Sequence, residues 1–310
     1  MFTATKKGRV ALSALAVGAV VALAGCSSSD PLDSGSGSDS SEGGATLVVG
    51  SQDYYSNEII AEIYAQALEN GGFTVERDLR IGQREIYLPE IESGSIDVFP
   101  EYDGSLLQAL EPDTTATTAD DVYSALTDAL PDGLRALDAA EASDQNSYTV
   151  TQAFADKWSL TDIASLADVT DPIVLGGNSE LQTRPYGPDA LKEKYGIDTT
   201  FQAIEDSGGS TTVDALTSNQ IQLANIYTAD PNIQSNDLVA LEDPDGLFVA
   251  DNVVPIVSDK VDDAAAEVLN AVSAKLTADD LVSLNAESVN DEKSAASIAT
   301  EWLESAGLVD

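Results

Sequence analysis

Residues Gln83–Leu107, QREIYLPEIESGSIDVFPEYDGSLL, predict a helix, a turn, a buried strand and a second helix. Apolar residues first recur at helical spacing, and Ser93-Gly94 then ends the predicted helix. A short run of β-branched and aromatic residues follows, which is typical of a buried strand. Pro100 should end that strand, because proline has no N–H to donate to a sheet ladder. Tyr102 would then lie just beyond the carboxyl end of a strand, where open α/β sheets bind ligands.

The same pattern returns later in the chain. The segment SGSIDVFPEYDG (residues 93–104) aligns without gaps on SNQIQLANIYTA (residues 218–229), and Tyr102 then matches Tyr227. We interpret the match as two lobes that each direct a tyrosine into a shared crevice. Two unrelated strand–helix junctions are the alternative, since a match this short can arise by chance.

Strand and helix patterns alternate along the rest of the chain, which predicts mainly parallel sheets covered by helices. A first series starts at Thr46, and a second starts near Tyr148 after the polar segment 138–146. The turn cluster 243–246 then leads to a predicted strand at 253–257 that rejoins the first series. The predicted fold class is therefore α/β: a clamshell of two βα lobes joined by two hinge crossovers. Clefts between domains are favoured sites for small ligands.

The predicted division of the chain follows from these patterns. Residues 46–146 and 248–310 should form the first lobe, and residues 147–247 the second. Residues 27–45 are rich in serine, glycine and aspartate, which is typical of a flexible tether. Residues 1–26 have the composition of a targeting segment, with a basic start and an apolar run over residues 10–23.

The segment Leu23-Ala24-Gly25-Cys26 resembles a bacterial lipobox. In such a motif the cysteine is lipidated and becomes the new N-terminus, so Cys26 would anchor the protein to the extracytoplasmic face of the cell membrane. An ordinary signal peptide or a short membrane anchor is the alternative, although the apolar run is short for a membrane span.

Composition excludes several chemistries. The formal net charge is −40, which argues against nucleic-acid binding because phosphates would be repelled. The chain has no histidine and one cysteine, so it can build neither a Ser-His-Asp triad, nor a disulfide within the chain, nor a common zinc site. We expect no metal and no cofactor. The acidity indicates a solvated surface suited to salty surroundings, and it also favours cationic solutes.

Five segments resemble, in order, the substrate-binding proteins of ABC importers for glycine betaine, carnitine and choline. They are VVGSQDYYSNEIIAEIYAQALE, REIYLPEIESGSIDVFPEYDGSLL, DQNSYTV, TRPYG and ALTSNQIQLANIYTADP, and the resemblance covers residues 46–303. It implies a type II periplasmic-binding-protein clamshell that is not an enzyme. It also implies a quaternary ammonium ligand and a partner permease in the membrane. We expect the protein to be a monomer.

The resemblance implies a cage of aromatic rings around the ammonium group, and Tyr102, Tyr148 and Tyr227 are its candidates by position. An N-methylated cation has no N–H to donate, so it depends on contacts with ring faces. Ordinary packing in a core or interface is the alternative for each tyrosine.

The resemblance also implies polar partners for the other end of the ligand. Gln52 follows the first strand, and Ser105 takes the place of the threonine in the family's EYTGT-like motif; either side chain could bind a carboxylate or hydroxyl. Arg184 in TRPYG is a candidate for a carboxylate partner, with a surface salt bridge as the alternative. Asp251 stands where many relatives have an aromatic ring, so it either pairs directly with a cation, or indicates a ligand other than glycine betaine, or lies on the surface.

Other functions remain as alternatives. The same clamshell could bind a different small solute or act as a ligand sensor. A secreted hydrolase could use Asp97 and Glu101 as an acid/base pair, although the two carboxyls need a shared cleft. The cluster Asp243-Pro244-Asp245-Gly246 could bind calcium, but it lacks the spacing of an EF-hand and more simply predicts a turn.

Overall fold

The computed structural model of this chain describes residues 46–309. The predicted targeting segment with Cys26 and the whole of the predicted tether therefore lie outside the described residues. Within residues 46–309, no helix is both long enough and apolar enough to cross a membrane.

Ten strands and eleven α-helices occur within the described part of the chain. The strands are β1 (Leu47–Gly50), β2 (Val75–Asp78), β3 (Val98–Tyr102), β4 (Leu134–Ala136), β5 (Asn146–Thr151), β6 (Ile173–Gly177), β7 (Thr199–Ala203), β8 (Leu223–Tyr227), β9 (Leu238–Ala240) and β10 (Val253–Ser258). The helices are α1 (Tyr55–Asn70), α2 (Arg84–Glu92), α3 (Asp103–Leu110), α4 (Ala119–Ala129), α5 (Gln152–Trp158), α6 (Pro188–Tyr195), α7 (Ser210–Thr217), α8 (Asn232–Ser235), α9 (Asp263–Ser273), α10 (Ala278–Asn290) and α11 (Ala295–Ala306).

The strands form two five-stranded sheets with the same arrangement. The first sheet has the order β2-β1-β3-β10-β4, and the second has the order β7-β6-β8-β5-β9. In each sheet the central strand has a parallel neighbour, β1 or β6, and an antiparallel neighbour, β10 or β5. We call each sheet with its helices a lobe, the first containing β1 and the second containing β6. The predicted α/β clamshell class is confirmed.

The two segments that align in the sequence form the central strands of the two sheets. Tyr102 is the last residue of β3, and Tyr227 is the last residue of β8. The matching tyrosines thus occupy equivalent places in the two lobes, each at the carboxyl end of a central strand.

The prediction that Pro100 ends its strand is wrong, since β3 continues to Tyr102. Pro100 faces Pro255 across the antiparallel β3–β10 pair. The Pro100 carbonyl accepts from the side chain of Asn57, and the Pro255 carbonyl accepts from the backbone of Leu137, so both point away from their shared ladder. A residue's N–H and C=O leave the strand on the same side, so this pair of positions needs no N–H donor.

The first lobe is centred on α1, which packs between its sheet and the C-terminal helices α9, α10 and α11. Its apolar residues recur at helical spacing and are fully buried (Ile59, Ile60, Ile63, Tyr64, Leu68). The second lobe has its own apolar core, which includes Tyr148, Val150, Leu175 and Leu223. The short elements α5, α8 and β9 were not predicted.

The two crossovers between the lobes run side by side. Ser143 and Asn252 form an antiparallel bridge, and the Ser143 hydroxyl donates to the Asp251 carbonyl at 2.9 Å. The second crossover also lies against the start of α3, where a Cβ on Gly104 would meet the carbonyl oxygen of Ala250 at 2.0 Å. Only glycine allows this close approach, which brings Asp251 next to the first turn of α3.

A buried ion pair fixes the end of β3. The Glu101 carboxylate accepts two bonds from the Arg84 guanidinium, at 3.0 and 2.9 Å, one from the Tyr87 hydroxyl at 2.6 Å and one from the Tyr102 backbone N–H at 2.9 Å. The side chain of Glu101 is 0% exposed and that of Arg84 is 10% exposed. Because every charge in this cluster has a partner, the cluster holds α2 against the strand that carries Tyr102.

We predict that Arg84→Met lowers the free energy of unfolding by about 3–5 kcal/mol, because Glu101 would be left buried and unpaired. The matched control is Lys192→Met, which removes one partner of the exposed pair with Asp198 and should cost less than about 1 kcal/mol. Chemical denaturation of both variants measures the difference. Equal losses in the two variants would contradict a central role for the buried pair.

Candidate ligand-binding site

A cavity lies between the lobes at the carboxyl ends of both central strands. Its free volume is about 40 Å³. Its lining comes from both lobes and from both crossovers: Gln52, Tyr54, Gln83, Arg84, Tyr102, Ser105, Asp144, Asn146, Arg184, Tyr186, Tyr227 and Asp251. Five of the six ligand-binding candidates are therefore brought together, and Tyr148 is the exception.

Asn57 positions the first-lobe wall of the cavity. Its side-chain oxygen accepts from the backbone N–H of Gln52, and its side-chain NH₂ donates to the carbonyl of Pro100, both at 2.8 Å. This fully buried amide thus ties the loop after β1 to the end of β3. As a result, Gln52 and Tyr102 face the same cavity.

Aromatic rings from both lobes meet at the cavity. Tyr54 of the first lobe stacks on Tyr227 of the second, with 5.2 Å between ring centroids and 22° between ring planes. Tyr186 also lines the cavity and packs on Phe248 at 5.3 Å. Tyr102 is 4% exposed, and its hydroxyl has no hydrogen-bond partner among the described residues. The cavity is therefore lined by four phenol rings.

Tyr148 lies outside this cavity, in the core of the second lobe. It is fully buried in the middle of β5, packs edge-on against Phe248 at 5.3 Å, and donates its hydroxyl to the Tyr186 carbonyl. Tyr148, the predicted third ring of the cage, thus packs behind the cavity lining. Tyr54 and Tyr186 supply the additional rings that line the cavity. The sequence analysis overlooked both, although Tyr54 lies two residues after Gln52 and Tyr186 belongs to the quoted TRPYG segment.

Two buried carboxyl groups also line the cavity. Asp251 is 4% exposed and accepts from the Ser105 N–H at 2.8 Å and from the Ser105 hydroxyl at 2.6 Å. Burial raises the pKa of Asp251 to about 8, against the lowering effect of these two bonds. Asp144 is 2% exposed and accepts from the Ala229 N–H at 2.8 Å, and burial raises its pKa to about 7. Asp251 is therefore a lining residue of the cavity and not a surface residue.

The two guanidinium groups at the cavity already have carboxylate partners. Arg84 is held by Glu101, as described above. Arg184 of the second lobe pairs in bidentate fashion with Glu85 on α2 of the first lobe, at 2.6 and 3.2 Å. Arg184 thus lines the cavity, and its salt bridge with Glu85 joins the lobes.

Other polar contacts join the lobes around the cavity. The Tyr55 hydroxyl donates to Asp230 at 2.9 Å, and the Gln83 side-chain NH₂ donates to the Ser207 hydroxyl at 3.2 Å. Together with the Tyr54–Tyr227 stack, these contacts hold the lobes against each other with the cavity between them.

The two carboxylates of the hydrolase alternative serve different structural clusters. Asp97 accepts from the backbone of Val48 and from Ser258, and pairs with Lys260. Glu101 belongs to the Arg84 cluster, and neither residue lines the cavity. Within residues 46–309, no group of three or more acidic, cysteine or histidine residues could hold a metal ion.

The fold and this cavity define a two-lobed solute-binding protein. The family model for the substrate-binding domain of ABC-type glycine betaine transport systems matches residues 45–305. The chain belongs to this family.

Comparison with individual proteins agrees with the family assignment. The chain is 27% identical over 277 residues to the glycine betaine-binding protein YehZ of Escherichia coli, covering 84% of this chain and 90% of that protein. A crystal structure described as a glycine betaine/carnitine/choline ABC transporter superposes with a TM-score of 0.69 at 19% identity, covering 85% of this chain and all of the other. A choline-binding protein in complex with choline superposes with a TM-score of 0.60 at 15% identity, covering 84% and 88%. These two structures share the fold.

We predict that Asp251 makes the ligand-free protein less stable as the pH rises. In the folded protein the Asp251 carboxyl keeps its proton up to about pH 8, whereas in the unfolded chain it loses the proton near pH 4. The stability that this proton contributes is therefore lost as the pH rises between these values. Between pH 5 and pH 9 the free energy of unfolding of the wild type should therefore fall by at least about 1.4 kcal/mol more than that of Asp251→Asn. This difference corresponds to one pKa unit. Urea denaturation at both pH values measures the loss, and identical losses would show that Asp251 is ionised in the folded protein.

Proposed function

We propose that the protein is an extracytoplasmic solute-binding lipoprotein of an ABC importer. It captures a quaternary ammonium solute, such as choline, glycine betaine or carnitine, between its lobes and delivers it to a membrane permease. The observation that carries this proposal is the cavity in which tyrosine rings of both lobes meet.

The chemistry of the cavity suits an N-methylated cation. Such a group cannot donate a hydrogen bond, so its binding depends on several contacts with ring faces, each contributing about 0.5–2 kcal/mol when desolvated. Tyr54, Tyr102, Tyr186 and Tyr227 supply these rings. Several such contacts together could give micromolar affinity, roughly −8 kcal/mol. Two of the proteins compared above are described as binding glycine betaine or choline, which supports the same class of ligand.

Gln52 is the proposed polar partner for the other end of the solute. Its backbone is fixed by Asn57, and its side chain lines the cavity, so its amide can bind a ligand hydroxyl. The hydroxyl of Ser105 donates to Asp251 and therefore presents an oxygen that can accept a hydrogen bond. The role of Ser105 is to orient the Asp251 carboxyl at the cavity.

The proposed attachment to the membrane rests on the sequence. The lipobox-like segment would carry the lipid on Cys26, and the predicted tether 27–45 would join this anchor to the folded body. A tethered clamshell can capture the solute outside the membrane and present it to the permease. The protein carries out no chemical step in this role.

We predict that Tyr227→Ala and Tyr102→Ala each weaken binding of the preferred quaternary amine at least tenfold, or about 1.4 kcal/mol. Each substitution removes one ring face from the cavity. Calorimetric titration with glycine betaine, choline, carnitine and ectoine first identifies the ligand and then compares the variants.

Tyr195→Ala provides the matched control, because Tyr195 belongs to the second lobe but does not line the cavity. Its affinity should equal that of the wild type. Unchanged affinity in the Tyr227 and Tyr102 variants would exclude these rings from the site. If none of the four solutes bound the wild type, the quaternary-amine proposal itself would be wrong.

A further inference from the structure

A groove lies next to the ring-lined cavity, between α2 and α3 of the first lobe and residues 183–186 of the second. Its free volume is about 450 Å³, against about 40 Å³ for the cavity. Small-molecule sites usually enclose about 300–1,000 Å³, so the groove has room for a ligand group of its own. A quaternary ammonium group held by the rings leaves this space unused.

The groove is continuous with the cavity. Four residues line both spaces: Arg84, Ser105, Arg184 and Tyr186. The first two belong to the first lobe and the other two to the second, so the junction is built by both lobes. A solute whose cationic end lies among the rings can therefore extend past these four residues into the groove.

The walls of the groove offer mainly carbon surface. Beyond the four shared residues, the apolar lining comes from both lobes: Leu88, Pro89, Ala109, Pro112 and Pro185. A methylene group that leaves water completely raises affinity by about fourfold, and one that is half covered by about twofold. The groove thus suits a short hydrocarbon chain.

Arg84 supplies a hydrogen-bond donor at the junction of the two spaces. Its Nε and Nη2 atoms donate to Glu101, whereas Nη1 has no partner within residues 46–309. The side chain is only 10% exposed, so water satisfies this donor poorly. A group on a bound solute can supply the missing acceptor.

The charges at the junction favour a neutral acceptor over an anionic one. Glu101 balances the charge of Arg84, and Glu85 balances that of Arg184. A carboxylate or phosphate on the solute would be repelled by these two glutamates. An ester carbonyl can accept from Arg84 without adding a charge.

We infer that the protein accepts O-acyl esters of quaternary ammonium alcohols, with the cationic group among the rings and a short acyl chain in the groove. Arg84 Nη1 donates to the ester carbonyl at the junction, and the apolar walls cover the chain. The inference rests on the proposed function and extends its substrate class to solutes longer than choline. Acylcholines are the simplest members, because they keep the trimethylammonium group of choline and carry the acyl group on its hydroxyl oxygen.

The test titrates choline, acetylcholine and butyrylcholine into the purified protein by calorimetry. Butyrylcholine should bind at least about fivefold more tightly than choline, and acetylcholine should lie between them, because each added carbon in the groove leaves water. Ala109→Trp places a large ring at an exposed position of the groove wall on α3, so butyrylcholine should lose its advantage. The choline affinity of this variant should equal that of the wild type, which shows that the ring-lined cavity is still folded.

Ala264→Trp is the matched control. Ala264 is also an exposed helical alanine of the first lobe, but it lines neither the groove nor the cavity, so butyrylcholine should keep its advantage. Butyrylcholine binding no tighter than choline, or an advantage that survives Ala109→Trp, would overturn the inference alone. If choline, glycine betaine, carnitine and ectoine all failed to bind the wild type, the proposed function would be wrong as well.

Discussion

The buried Glu101 carboxylate is the interaction on which the site depends. It accepts from Arg84, Tyr87 and the backbone of Tyr102, so one acid fixes a helix, a core ring and the end of the central strand at once. The carboxyl end of β3 is thereby held as a rigid edge, and Tyr102 is presented from it. The second sheet has the same strand order and presents Tyr227 from the equivalent edge. A cavity results because two such edges face each other across paired crossovers.

The cavity combines aromatic rings with two buried carboxyl groups. Ring faces offer many weak contacts that need no hydrogen-bond donor, which suits the proposed N-methylated ligand. Burial raises the pKa of the Asp144 carboxyl to about 7 and that of the Asp251 carboxyl to about 8. Arg84 and Arg184 each pair with a glutamate at the cavity. The glutamates thus have different uses: Glu101 stabilises the fold, and Glu85 joins the lobes through Arg184.

Much of this arrangement could be predicted from the sequence, because it follows from local patterns. Alternating strands and helices predict mainly parallel sheets, and the match of Tyr102 with Tyr227 correctly placed both rings at strand ends. The continuation of β3 through Pro100 could not be predicted, because it depends on Pro100 facing Pro255, which lies more than 150 positions away in the chain. The burial of Asp251 was equally hidden, since it depends on the close approach of a crossover to Gly104. Tyr148 was misplaced because position within a family motif does not show on which side of a sheet a ring lies.

A crystal structure of the protein with a bound quaternary ammonium solute tests the central claim most directly. The account predicts the ammonium nitrogen within about 6 Å of the ring centroids of Tyr102 from the first lobe and Tyr227 from the second. The rings should lie face-on to the cation. A solute bound outside the interlobe cavity, or touching rings of one lobe alone, would contradict the account.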